Sequence, residues 1–264
     1  MNKIGIVTIV LSSILSLSSY GKSDLIIAPS FKQPKKSYYD ASLRGFSLDD
    51  QWNYVNDVDK EQLSLDGSRY HYGYMDSWMG IYKFYNSPSN EMFVLLLSSA
   101  ESKPRKDSYW DQRRWNNRLI KSEFSCSNSS VHYLNYAPKA TMGTISTSTS
   151  ISLGAGMQGD DAVLTTTVTY SESYSSTEVS VTAEGSSESQ VAVKFNFLRY
   201  SSNTSLSNIH CSNVDRQSYA IYKITNYNPS SSYNFTIKNY VSIYRYGVFN
   251  SATVTEHQEQ TFTI

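Results

Sequence analysis

The chain reads as an all-β protein, and three observations carry that reading. Tyrosine alone accounts for 22 of 264 residues, and Ser and Thr are dense throughout; such chains, poor in helix formers, favour strands. Apolar residues recur at period two or in short continuous runs such as Met92–Leu97, and no amphipathic helix of ordinary length or fixed-period repeat is visible. Turn-forming clusters, of which Asn86-Ser87-Pro88-Ser89-Asn90 is the clearest, punctuate the runs.

Taken in order, residues 1–21 have the form of a secretory signal. Lys3 supplies the positive start, Ile4 to Leu17 an apolar core, and Ser19-Tyr20-Gly21 a small-residue cleavage site. Residues 22–50, with Lys32, Lys35 and Lys36 around Pro34, predict an irregular, mobile leader, and residues 51–75 give weak strand signals. Met79 to Tyr85 and Met92 to Ser98 predict two strands joined by the 86–90 turn. The unbroken run Met92–Leu97 predicts a strand buried on both faces. A charged loop is expected from Glu101 to Asp107, then strands at Leu119 to Phe124 and Val131 to Tyr136. Beyond residue 174, strands are expected at Glu178 to Ala183 and Val191 to Leu198 around a Gly185-Ser186-Ser187 turn. A polar loop over 199–217 and strands at Tyr219 to Thr225, Tyr233 to Tyr246 and Ser251 to Ile264 complete the chain.

The most distinctive segment is Thr141 to Tyr174. On one parity stand Ile145, Thr147, Thr149, Ile151, Leu153, Ala155 and Met157; the other is Gly, Ser and Thr, including Ser146, Ser148, Ser150 and Ser152. After a turn-like Gly156 to Asp161, a second arm sets Ala162, Leu164, Thr166, Val168 and Tyr170 against Thr165, Thr167, Thr169 and Ser171. Side chains alternate faces along a strand, so each arm has a lipid-compatible face and a hydroxyl-lined face. No charge occurs between Lys139 and Asp160, or between Asp161 and Glu172. Each arm reaches the roughly 9–11 residues that a membrane-spanning strand needs. One hairpin in lipid would leave both outer edges unpaired, so only a closed barrel built from several copies could hold it there. The competing reading is a Ser/Thr-rich hairpin on the solvent side of a sandwich. The missing Lys and Glu of a solvated strand face, and the Asp160-Asp161 pair at the tip, favour the membrane.

Lys and Arg balance Asp and Glu at 23 each, which gives no electrostatic case for nucleic acid. Cys126 and Cys211 are the two cysteines. In an exported chain the simplest expectation is one disulfide, worth about 4–5 kcal/mol in the chain-entropy view; two free buried thiols are the alternative. His71, His132, His210 and His257 show no metal-ligand spacing, and no nucleophile elbow or phosphate loop is present. The expectation is a protein that is not an enzyme and carries no cofactor or metal.

The flanks of the hairpin carry a resemblance. Val131-His132-Tyr133-Leu134-Asn135-Tyr136-Ala137-Pro138-Lys139 resembles the segment leading into the stem of the leukocidin/α-hemolysin family of β-barrel pore-forming toxins, which has an Asp/Asn-Tyr-x-Pro-Lys motif there. Val168 to Tyr174 and Thr177-Glu178-Val179 are similar to the family's return strand, Tyr109-Trp110 and Trp115 through Lys121 to its lead-in, and Asn226-Tyr227-Asn228-Pro229 to a turn of its rim. The likeness covers about residues 80–198 and rests on the order of these segments rather than on one motif. It implies a secreted subunit with a β-sandwich cap over residues 51–264, a smaller rim and a prestem hairpin at 141–174. Such subunits assemble on target membranes into a ring of about seven or eight, alone or with a second leukocidin-like component. A glycan or lipid headgroup would serve as receptor. The family's rim tryptophan has no counterpart between Leu198 and Tyr233, so receptor choice does not carry over. Trp78, Tyr82 and Tyr85, or Tyr219, Tyr222 and Tyr227, are candidates for a headgroup-contacting rim, with burial in the sandwich as the alternative. A non-lytic carbohydrate-binding or matrix β-sandwich, and an aerolysin-like pore former, are the other readings weighed.

Overall fold

A computed structural model describes residues 46–48, 51–66, 71–87, 89–105, 115–139, 145–153, 164–172, 179–197, 213–245 and 252–264. All lie within one compact unit, Gln33–Ile264. Every regular element among the described residues is a strand. A first sheet joins β2 (Asn53–Asp66), β3 (His71–Asn86), β4 (Glu91–Pro104), β11 (Val214–Thr225) and β6 (His132–Ala137), in that spatial order. A second joins β13 (Ala252–Thr263), β12 (Asn234–Arg245), β5 (Trp115–Cys126), β10 (Gln190–Phe197) and β9 (Val179–Ser187). A third, smaller sheet has the order β1 (Phe46–Leu48), β8 (Leu164–Glu172), β7 (Ile145–Leu153). All pairings are antiparallel.

The first and second sheets pack face to face as a β-sandwich. Met92, Val94 and Leu96 of β4 meet Phe124, Val191, Phe235 and Ile237 from the second sheet in one apolar cluster. Ala100, Met75 and Val214 meet Trp115, Ile120, Phe195 and Val241 in another. Between them runs a buried polar seam. Ser98 donates to Asn239 Oδ1 (2.7 Å) and lies 3.1 Å from Ser122 Oγ, while Ser77 donates to Gln258 Oε1 (2.5 Å). Directional bonds at mid-height fix which residues of the two sheets face each other, which apolar packing alone does not.

The expected pair of strands around residues 86–90 is present, with Met79 opposite Ser98 and Tyr85 opposite Met92. Several boundaries differ from expectation. Glu101–Pro104 continue β4 rather than opening a loop, because their charges are neutralised across the sheet: Lys103 bonds Asp76 of β3 and lies 3.2 Å from Glu101. Residues 185–187 belong to β9, and the turn falls at Glu188-Ser189. Val214–Gln217 belong to β11 rather than to a polar loop. The weakly signalled 51–75 region contains β2, a full strand. Phe46–Leu48, expected within the irregular leader, form β1.

The first sheet is apolar on its outer face as well. Phe93, Leu95 and Leu97 alternate with the core-facing residues of β4, yet all three are buried. They join Trp52, Trp78, Tyr82, Phe84, Tyr219 and Ile221 in a second-face cluster. Gly80 makes room there: a Cβ at this position would stand 2.8 Å from the Trp78 ring. This aromatic half lies toward the turns; the other half of the same face carries Asp76, Glu101, Lys103 and Asp215.

Candidate functional site

Strands β7 and β8 pair in continuous register from Ile145↔Glu172 to Leu153↔Leu164. Directly opposed residues of an antiparallel pair share a face. The register therefore joins the two arms of the sequence pattern without a slip. Thr147↔Tyr170, Thr149↔Val168, Ile151↔Thr166 and Leu153↔Leu164 fall on one face, and Ser146↔Ser171, Ser148↔Thr169, Ser150↔Thr167 and Ser152↔Thr165 on the other. A slip of one residue would have mixed the two sets. Ala155, Met157 and Ala162 lie outside the described residues.

The hairpin has a third strand that the sequence did not announce. Phe46, Ser47 and Leu48 pair with Tyr170, Thr169 and Val168, so β1 occupies the edge of β8 away from β7. Leu48 packs against the outer aromatic cluster of the first sheet. Leu48 opposes Val168, and Val168 opposes Thr149, so by register the parity expected to suit lipid shares the sheet face of Leu48. β6 runs away from the turn end of the sandwich, from His132 opposite Lys223 to Ala137 opposite Tyr219, and β9 begins at Val179, opposite Phe197. The contact between the small sheet and the sandwich seen among the described residues is that of Leu48 with the outer aromatic cluster.

Four of the aromatic residues considered for a headgroup-contacting rim, Trp78, Tyr82, Tyr219 and Tyr222, are core residues. Trp78 is 1% exposed, and Tyr219 and Tyr222 are fully buried. Trp78 Nε1 donates to Asp57 Oδ2 (3.0 Å). Tyr222 points between the sheets, where its hydroxyl donates to the Ser189 carbonyl (3.3 Å). Strands flanked by neighbours and covered on both faces leave these side chains no route to solvent. Tyr82 is buried likewise. Tyr227 is half-buried between Tyr85, whose ring is tilted against it (centroids 5.7 Å), and Tyr233, on which it stacks (5.9 Å). Its amide donates to the Asn90 carbonyl (3.0 Å), which places it at the turn end, opposite the start of β9.

Cys126 carries a free, buried thiol rather than the expected bridge; Cys211 lies outside the described residues. Burial pushes the thiol above its ordinary pKa of 9.0, against a smaller downward pull from a hydrogen bond with the Asn128 backbone. His132 Nδ1 lies 3.1 Å from Glu188 on the surface, and His257 sits against the Tyr240 ring. Among the described residues no group of His, Cys, Asp and Glu could hold a metal ion, and no helix is long and apolar enough to cross a membrane. Sequence reasoning missed β1 because three residues carry no measurable periodicity. It also missed the outer cluster's partner: an apolar run shows that both faces are buried, not what buries them.

No protein-family model and no curated protein matches this chain. Among solved structures it is similar to one described as a pore forming protein, at 9% identity and TM-score 0.49 over 80% of this chain and 95% of that one. It is similar to Clostridium perfringens delta-toxin at 11% identity and TM-score 0.49, over 83% of this chain and 94% of that one. A likeness to Clostridium perfringens NetB toxin in its membrane inserted form, at 8% identity and TM-score 0.39, covers 79% and 96% of the two chains.

Proposed function

We propose that this chain is the subunit of a secreted pore-forming cytolysin, which assembles on a target membrane and contributes its β7–β8 hairpin to a shared transmembrane barrel. The observation that carries the reading is the pairing of β7 with β8. Its register keeps a charge-free, two-faced ribbon intact from the Ser146↔Ser171 pair to the Leu153↔Leu164 pair, while a three-residue strand covers the outer edge of β8. In the closed form the lipid-compatible parity faces the aromatic half of the first sheet. In the open form it faces acyl chains, and the Ser/Thr parity lines the lumen. Either state satisfies the same alternation; an isolated, extended hairpin satisfies neither.

The physics couples opening to assembly. A barrel pairs the outer edge of β8 with the β7 of a neighbouring copy, and that edge is the one β1 holds, so β1 must leave before the barrel closes. Departure of the small sheet also removes Leu48 from the outer aromatic cluster, a burial worth about 1.5–3 kcal/mol for a leucine. Contacts within the ring and insertion of several hairpins at once offset that loss; a single copy has nothing to offset it with.

Purified mature protein should release dye from liposomes and yield an SDS-resistant ring. Ile151→Asp combined with Leu153→Asp should abolish release, because a charge at barrel mid-depth costs a few kcal/mol per copy, while secretion and the circular dichroism of the monomer stay unchanged. Undiminished lysis by the double variant removes the hairpin from the mechanism.

A further inference from the structure

The outer face of the second sheet, on the far side of the sandwich from the cluster that Leu48 packs against, carries a groove of about 410 Å³ lined by Arg118, Leu119, Asn196, Phe197, Ser242 and Thr255. A β-bulge builds it. Strand β12 pairs Ser242 with Leu119 and then Ile243 with Asn117, which leaves Arg118 as the extra, unpaired residue of β5. Below the bulge Leu119, Lys121 and Glu123 face outward while Ile120, Ser122 and Phe124 are buried; above it Asn117 and Trp115 are buried. The parity switch turns two consecutive residues, Arg118 and Leu119, to the same outer face. Bulges of this kind re-aim a side chain at the cost of a ladder hydrogen bond.

The charge environment sets Arg118 apart from the lysines of this face. Lys121 pairs with Glu123 (2.9 Å), Lys194 with Glu184, and Lys238 with Glu259 (3.3 Å). Arg118 is exposed, and among the described residues its partner is a hydroxyl: Nη1 donates to Thr253 Oγ1 at 3.0 Å. A guanidinium has five N–H donors in a planar fork, so most remain available on the groove side. Around it stand acceptors and hydroxyls. Asn196 uses its Nδ2 on Thr182 (3.3 Å), which leaves its Oδ1 able to accept. Thr255 donates to Ser242 Oγ (2.9 Å), which leaves its own oxygen able to accept. Leu119 supplies a half-buried apolar floor between them.

We infer that this groove is a binding site for an acidic sugar: the Arg118 fork takes the carboxylate, Asn196 and Thr255 take ring hydroxyls, and Leu119 packs under the apolar edge of the ring. A fork matches a carboxylate bidentately, and a row of neutral acceptors beside it suits a polyol rather than a bare anion. The site does not use the hairpin and stands whether or not the chain makes pores.

The test is a titration of the full mature chain with glucuronate, glucose and inorganic sulfate, followed by NMR shifts of the Arg118 and Asn196 amides. The expected order is glucuronate tightest, with glucose and sulfate each weaker by about tenfold or more, a margin of ~1.4 kcal/mol. Arg118→Ala should remove the preference for glucuronate over glucose, and Arg118→Lys should restore little of it, since an ammonium offers a point charge and no fork. Thr255→Val should weaken glucuronate and leave sulfate unchanged. Thermal midpoints of the variants should match the parent, because Arg118 is exposed. Equal affinity for glucuronate and sulfate reduces the site to a simple anion contact and overturns the sugar assignment. No shift at high millimolar glucuronate, or undiminished binding by Arg118→Ala, overturns the site altogether.

Discussion

Phe93 and Met92 are neighbours in sequence and serve different layers: Met92 faces the second sheet and Phe93 the outer cluster. Phe93→Ala should therefore cost about 3–5 kcal/mol by cavity formation even though the sandwich core stays filled. Chemical denaturation would show it as a lower midpoint with an unchanged slope. At Cys126 and Tyr222 burial acts on ionisation. Both protons are held above their ordinary values of 9.0 and 10.0, the thiol chiefly by burial, the phenol by burial and then by the neighbouring Cys126 charge. A group whose folded pKa is raised gives stability that is complete below its unfolded pKa and is lost as pH climbs toward the folded value. Unfolding free energy should accordingly fall above about pH 9, where an exposed thiol or phenol deprotonates. The slope should flatten in Cys126→Ala, as read from urea midpoints between neutral and alkaline pH. The same thiol should resist alkylation in the folded protein and react on unfolding.

At the scale of elements, β1 is the contact on which the proposed opening turns. Ser47 and Thr169 are register partners, so Ser47→Cys with Thr169→Cys should lock β1 to β8 when oxidised. The locked protein should bind membranes without releasing dye, and a reductant should restore release. Full activity in the oxidised, crosslinked state would show that β1 need not move. In the proposed closed state the same element, through Leu48 on the outer aromatic cluster, would hold the stripe suited to lipid against protein before assembly. Dye binding to exposed apolar surface should be weak for the monomer and rise when β1 is deleted.

At the scale of the whole molecule, the two faces of the sandwich do different work. One carries an aromatic surface on which Leu48 of β1 packs; the other presents paired charges and the Arg118 groove. A lumen formed by Ser146, Ser148, Ser150, Ser152 and their Thr and Ser partners on β8 carries no formal charge along the paired ribbon, so channels in planar bilayers should discriminate only weakly between small cations and anions. A strong preference in reversal potential would place charged residues in the conduction path and revise the face assignment.

Much of this architecture was legible before any coordinates. Period-two patterning, β-branched and aromatic enrichment and turn chemistry are local properties, and they announced the all-β class, the β3–β4 pair, the doubly buried run at Met92–Leu97 and the two-faced hairpin. The parity of the register between the hairpin arms was implicit too, since a slip by an odd number of residues mixes the two faces, whereas the choice among even alignments was not. What local pattern cannot carry is the identity of a partner distant in sequence. Whether Trp78, Tyr219 and Tyr222 meet solvent or protein depends on which strands flank them and what lies above them, and the answer was burial. That β1 caps β8, that Cys126 is free, and that a bulge turns Arg118 beside Leu119 all depend on long-range pairing. Such pairing is set by the sum of many contacts across the sandwich and leaves no mark on the residues nearby.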